Sequence, residues 1–310
     1  MNEYPVAFAA KSVHDGSREV AVTQGLDEPL SQTFISQGLK LHYVDWGNEG
    51  APCLLLIHGI RDHARSWDWV ARALRGKWRI IAPDLRGHGD SQWSPDGAYL
   101  SPYHVLDIVD LIATLGYEKL TIVGHSYGGN IASRFAAIYP ARVKKLVLVD
   151  GLGPSPEVRA EWNAQGQVKR TRDWIEKRRD SAARKPRRFD TLEEAVARMA
   201  AANRHLSGDR ARHLAVHGVR HHPDGYGWKY DPDVFNFLPE DFATDSDAFW
   251  REVTTPTLLC WGTESWTANP EKDPRTASFR EHRAVVFEKA GHWLHHDQIE
   301  AFLSVLNGFL

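Results

Sequence analysis

The chain has 310 residues, 42% of them hydrophobic and 25% charged, the balance of a folded globular protein rather than a disordered one. A net charge of -2 removes the basic excess that nucleic-acid binding needs, so no nucleic-acid partner is expected. No apolar run approaches the ~20 residues that span a bilayer, and the start MNEYPVAFAAKS lacks the charged and apolar regions of a secretory signal; no membrane partner and a cytoplasmic location are expected.

In chain order, residues 1–30 are polar and weakly patterned and read as an N-terminal extension. SQTFIS and LKLHYVDW read as antiparallel strands turned at Gln37-Gly38. CLLLIHG is a continuous apolar run ending in glycine, as a strand buried on both faces reads. SWDWVARALRG has helical spacing, and WRIIAPD is the next strand. SPYHVLDIVDLIATLG reads as a helix with Ser101 as cap, Pro102 in the first helical position and Gly116 as stop. KLTIVGHS, GGNIASRFAAIYP and KKLVLVD continue the strand–helix–strand rhythm, which predicts a mostly parallel sheet covered on both faces.

After Asp150 the rhythm breaks. TLEEAVARMAAAN, with Thr191 as cap, and SGDRARHLAVHG read as helices, and GYGWKYDPDVF as a turn or short hairpin. The alternation resumes with TPTLLCWG and RAVVFEKAGH and closes with the amphipathic DQIEAFLSVLNGFL. The expected organisation is an extension over 1–30, a core over 31–153 and 251–310, and an inserted helical cap over 154–250. Cys53 and Cys260 each fall in a core strand and read as buried free thiols.

The chemistry concentrates at a few places. Gly124-His125-Ser126-Tyr127-Gly128 matches G-x-S-x-G between a buried strand and a helix, a context in which a sharp turn lifts the serine hydroxyl above the sheet. His58-Gly59-Ile60-Arg61 ends another strand; the Ile60 amide, with that of Tyr127, is read as an oxyanion hole. His292 in Ala290-Gly291-His292, after the last strand, is placed to act as base toward Ser126. His292 and His296 stand at i,i+4, but without an H-E-x-x-H pattern, and no metal or other cofactor is expected. Trp162, Trp174, Trp228 and Trp250 of the cap segment, with Trp266 and Trp293, are candidates to line an apolar pocket, and Arg61 to meet a substrate carboxylate. Asp84, Arg86, His88 and Asp90 in APDLRGHGDS read as structural, and the basic run KRTRDWIEKRRDSAARKPRRF as a solvated helix face.

Together VGHSYGGN, LLLIHG, APDLRGHGDS and KAGHWLHHDQ resemble the α/β-hydrolase superfamily, and more narrowly bacterial esterase-like serine hydrolases with a helical cap. The resemblance implies the α/β-hydrolase fold and a triad in the chain order Ser, acid, His. It places the acid shortly after TPTLLCWG, where the customary aspartate position holds Ser265 and Glu264 stands one residue early. Asp150, at the end of KKLVLVD, is the other candidate, as in certain haloalkane dehalogenases. Two acids, Asp150 and Glu264, thus remain open. The expected activity is hydrolysis of a small-molecule carboxylic ester through an acyl-enzyme. The alternatives are C–C bond, lactone or amide hydrolysis by the same triad, and a non-catalytic ligand-binding protein on the same fold. Epoxide hydrolase and haloalkane dehalogenase chemistry is disfavoured, because those relatives place an aspartate where this chain has Ser126. A homodimer is a candidate assembly.

Overall fold

In the computed structural model, residues 28–183, 187–235 and 246–310 are described, so most of the N-terminal extension lies outside the described residues. The strands are β1 (Leu30–Ser36), β2 (Leu39–Asp45), β3 (Cys53–Ile57), β4 (Arg79–Pro83), β5 (Leu120–His125), β6 (Val143–Val149), β7 (Val219–His222), β8 (Gly225–Trp228), β9 (Thr257–Gly262) and β10 (His282–Phe287). The helices are α1 (Asp68–Leu74), α2 (Ser101–Leu115), α3 (Tyr127–Ile138), α4 (Pro156–Ala164), α5 (Gln167–Ala183), α6 (Leu192–Ala202), α7 (Gly208–Gly218), α8 (Ser246–Glu252), α9 (Leu294–Asp297) and α10 (Ile299–Phe309).

Eight strands form one sheet in the order β1-β2-β4-β3-β5-β6-β9-β10. β1 pairs antiparallel with β2, and β2 with β4; every later pairing is parallel. This is the α/β-hydrolase fold. The parallel strand β3 is an unbroken apolar run, and β5 and the Leu146–Val149 part of β6 are buried throughout, because both faces are covered. One buried cluster packs side chains of α2 and α3 against the sheet, including Ile108, Ile112, Ile131 and Phe135. The other packs α1 and α10 through Val70, Leu74, Phe302 and Leu306. Cys53 and Cys260 are free and buried, and burial pushes the Cys53 thiol up to about 12.

The chain order jumps across β3 on going from β4 to β5, so the strand order reverses between β3 and β5. Clefts at the carboxyl ends of strands at such a reversal are where open α/β sheets bind ligands. The loops bearing Ile60 and Ser126 leave the sheet there, side by side, since Ile57 pairs with Gly124. Between β6 and β9 the chain departs from the sheet to form α4 to α8 and the separate two-stranded β7–β8 hairpin. Thr191 and Ser207 cap α6 and α7 by accepting from the amides of Glu194 and Arg210.

Two local expectations differ from what is observed. Ser101 is not the cap of α2: the helix begins at Ser101, Leu100 is its cap, and the Ser101 hydroxyl lies 3.4 Å from the Tyr127 hydroxyl. A tertiary partner has claimed a group whose type favours capping. The hairpin in the insertion begins earlier than GYGWKYDPDVF, pairing Val219 with Trp228 across a turn before Gly225.

Candidate active site

Ser126 follows β5 directly, with φ 53° and ψ −120°, and α3 starts at the next residue. A non-glycine residue at positive φ costs about 1–3 kcal/mol and persists only where its surroundings enforce it. The enforcement is close backbone crossing. A Cβ on Gly124 would lie 2.4 Å from the Gly128 carbonyl oxygen, and one on Gly128 would lie 2.4 Å from that of Ile57. Only glycine permits both approaches. The ladder continues past the strands: the Ser126 amide donates to the Val149 carbonyl at 2.9 Å, and the Asp150 amide to Cys260 at 2.8 Å. Ser126 and Asp150 therefore stand in neighbouring positions above one sheet edge.

His292, on the loop after β10, joins them. Its Nε2 is 2.8 Å from Ser126 Oγ, and its Nδ1 is hydrogen-bonded to Asp150 Oδ2. A carboxylate only accepts, so Nδ1 carries the proton and donates, Nε2 is the acceptor, and the serine hydroxyl donates to it. Asp150 is buried and sits at φ 51°. It accepts further bonds from the Ser265 hydroxyl on Oδ2 and the Thr267 hydroxyl on Oδ1, both at 2.5 Å. Ser265, at the position where the resemblance implies an aspartate, thus orients an acid supplied by the neighbouring strand.

Glu264 does not reach His292, which corrects its candidacy as the acid. It accepts from Arg204 and lies 2.8 Å from His205 Nε2, both in the connection between α6 and α7, and these partners hold its carboxyl below the ordinary glutamate range. The Glu264 amide donates to the Ala290 carbonyl at 2.9 Å, so the turn fixes its backbone while the side chain faces the insertion.

Two histidines beside the site carry no proton charge. His125 lies between Gly124 and Ser126; its Nε2 donates to the His292 carbonyl at 2.8 Å and ties the elbow to the loop carrying His292. Burial, reinforced by the neighbouring His292, holds its pKa far below that of free histidine. The variable position of G-x-S-x-G gives no sign of this role. His58 Nε2 accepts from the Leu85 amide at 3.0 Å, and its Nδ1 donates to Gly59 O at 2.7 Å. Burial lowers its pKa, so this buried neutral ring shapes the loop that presents Ile60.

A cavity of about 2020 Å³ opens over Ser126 and His292, and Ile60, Tyr127, Arg61, Trp266 and Trp293 all line it. The Trp266 ring centre is 5.2 Å from that of His292, and the residue is 65% exposed, so it stands at the rim. Trp293 lies 6.4 Å from the same ring. Trp162, Trp174 and Trp228 face the cavity from the insertion. Trp250 does not: it is buried, stacked 5.0 Å from Phe279, because α8 packs on α3 in the core rather than over the site. Arg61 pairs with no carboxylate among the described residues; its guanidinium lies 5.6 Å from the Tyr230 ring and 5.0 Å from Phe235.

Among the described residues, two groups have metal-ligand spacing, Asp68 with His213 and His217, and His42 with Asp84 and Asp90. In the first, the Arg65 guanidinium already sits 2.7 Å from Asp68 Oδ2. In the second, Asp84 takes His42 Nδ1 at 2.7 Å and the Ala64 and Asp90 amides at 2.7 and 2.9 Å, which holds the APDLRGHGDS turn together. Arg86 in the same turn forms a buried two-pronged bond with Asp107 at 2.6 and 2.7 Å. His296 is buried, and both ring nitrogens of His292 are engaged by Asp150 and Ser126, so the i,i+4 pair has no free His292 nitrogen to offer an ion.

A family model described as alpha/beta hydrolase fold matches residues 52–215, and the chain belongs to that family. Epoxide hydrolase 4 of Mus musculus is 28% identical over 88% of this chain and 77% of its own length. The 3-hydroxybutyrate-oligomer hydrolase of Cupriavidus necator is 32% identical over 73% of this chain and 77% of its own. Among solved structures, the thioesterase domain from the curacin biosynthetic pathway superposes with a TM-score of 0.77 at 25% identity, covering 90% of this chain and 99% of that one. Among the described residues, no helix is long and apolar enough to cross a membrane.

Proposed function

We propose that this protein is a serine hydrolase that cleaves a small carboxylic ester through an acyl-enzyme. The observation that carries the reading is the unbroken chain from Asp150 through His292 to Ser126 Oγ, with Nε2 oriented to take the serine proton. As Oγ bonds to the carbonyl carbon, its proton passes to Nε2, and the Asp150 carboxylate faces the resulting imidazolium. The Ile60 and Tyr127 amides are assigned to the developing oxyanion, at about 3–4 kcal/mol of transition-state stabilisation per donor. Tyr127 opens α3, whose N-terminus favours negative charge. Collapse breaks the ester C–O bond, and His292 returns the proton to the leaving alkoxide. Water, deprotonated by His292, then attacks the acyl carbon; the acyl–Oγ bond breaks, His292 returns that proton to Ser126 Oγ, and the acid is released.

The resemblance to an epoxide hydrolase does not carry over to the chemistry. A carboxylate that opens an epoxide leaves an ester, whose carbonyl water can attack. A serine that did so would leave an ether, with no carbonyl and no route to turnover. The thioesterase and oligomer-hydrolase neighbours fit the acyl-transfer reading, and lactone, amide and C–C cleavage remain alternative uses of the same triad.

Turnover of nitrophenyl esters graded by acyl length tests the proposal, with Ser126→Ala as control. The account expects esterase activity that the substitution reduces to background. Unchanged turnover in that variant rules the mechanism out.

A further inference from the structure

Eleven lysine and arginine side chains line the cavity over Ser126, against six carboxylates. Part of that excess is neutralised within the chain. Arg220 and Lys229 share Asp90 at 3.2 and 2.9 Å, and Arg275 is held by Asp273 at 2.5 Å. Arg61, Arg187 and Arg198 differ: among the described residues, none is ion-paired with a carboxylate. They come from three separate places, the loop after β3, the stretch before α6, and α6 itself.

All three line the same cavity as Tyr230, and the Arg61 guanidinium lies 5.6 Å from its ring. Burial pushes the Tyr230 phenol up, while the charges of Arg61, Arg198 and Arg187, in that order, pull it down. Its hydroxyl has no hydrogen-bond partner among the described residues. Arg61 occupies the left-handed region at φ 60°, immediately after Ile60, with its guanidinium over the Tyr230 and Phe235 rings. Arg187 lies 5.2 Å from the Phe189 ring. Guanidinium groups that line one cavity repel each other, and among the described residues none of the three is ion-paired with a carboxylate. An anion in the cavity would offset that repulsion, and the guanidinium fork matches a carboxylate in two-pronged geometry.

We propose that Arg61, Arg187, Arg198 and Tyr230 form a carboxylate-binding subsite, so that the preferred substrate is an ester carrying a free carboxylate remote from the scissile bond. The inference rests on the serine-hydrolase reading and supplies its substrate class.

The test compares 4-nitrophenyl half-esters of adipate, pimelate and suberate with the same diacids capped as neutral methyl esters. The expected result is a kcat/KM ratio, charged over neutral, of about tenfold or more at the best-fitting length, carried by KM and weakened by salt. Arg198→Ala and Arg187→Ala should each lower that ratio about tenfold, Arg198→Lys less, and Arg198→Glu should invert it. A ratio near one at every length overturns the subsite, while turnover of the neutral series leaves the ester-hydrolase reading standing. If neither series is turned over, the hydrolase reading fails, and calorimetry with adipate then decides the subsite: binding that Arg198→Ala abolishes supports it, and no binding overturns it.

Discussion

Replacing Asp150 by asparagine removes one negative charge and leaves the volume of the side chain nearly unchanged. The carboxylate accepts three donors, His292 and Ser265 on Oδ2 and Thr267 on Oδ1, and is buried. An amide can meet this site in two ways. With its nitrogen toward His292, Nδ1 must become an acceptor, the proton moves to Nε2, and the ring can no longer take the Ser126 proton. With its oxygen toward His292, the tautomer survives, but the imidazolium formed in the transition state faces a neutral partner. Either outcome predicts a fall in kcat of about 10⁴, or about 5 kcal/mol of barrier, with KM little changed. Glu264→Gln is the matched control, since that side chain bonds to Arg204 and His205 at the surface; kcat should move by no more than about twofold. Steady-state turnover of a nitrophenyl ester, with circular dichroism to verify folding, reads both. A loss below about tenfold in Asp150→Asn, or a larger loss in Glu264→Gln, would refute the assignment of the acid.

Four further outcomes follow from the same geometry. Because the Ser265 hydroxyl lies 2.5 Å from the oxygen that meets His292, adding Ser265→Asp to Asp150→Asn should restore kcat at least about tenfold by returning a carboxylate to His292; no gain in the double variant would count against Ser265 as the neighbour of that oxygen. Gly128→Ala forces a methyl group against the backbone of Ile57 and His58, and should cost about 1–3 kcal/mol or more, read as a lower urea midpoint, with activity lost alongside. Acid should destabilise the fold early. An unfolded histidine takes its proton near pH 6.5, whereas burial lowers His217 to about 4 and His88 and His296 to about 3 in the fold, with His295 also well below 6.5. The unfolded chain then binds more protons, so stability falls as pH drops from about 6.5 toward 3, by up to about 1.4 kcal/mol per pH unit for each such ring. His295, whose ring nitrogens have no hydrogen-bond partner among the described residues and whose ring stacks on Trp67, is a direct probe: His295→Phe should flatten this acid loss in chemical denaturation across pH, and an unchanged slope would contradict the account.

The sheet was legible because its central strands carry a simple pattern, short buried apolar stretches such as CLLLI that alternate with helical segments. The elbow was legible because the two glycines of Gly124-His125-Ser126-Tyr127-Gly128 answer a local demand for close backbone passage. The acid was not. Asp150 and Glu264 each follow a strand, and what separates them is which strand lies beside which: β6 sits between β5 and β9, so the end of β6 lies next to the elbow, while the side chain of Glu264 turns toward Arg204 and His205. No local sequence feature encodes that neighbourhood. Trp250 shows the same limit, since a tryptophan in the inserted segment reads as pocket lining until α8 is seen packed on α3. The shared cavity likewise brings Arg61 together with Arg187, Arg198 and Tyr230, well over a hundred positions further along the chain.

Labelling with a fluorophosphonate, followed by intact mass and peptide mapping, addresses the central assignment most directly. The account predicts one adduct per chain, on Ser126, absent in Ser126→Ala and slowed by orders of magnitude in His292→Ala, because only the paired imidazole makes that hydroxyl nucleophilic. No adduct, or one on a serine other than Ser126, would contradict it.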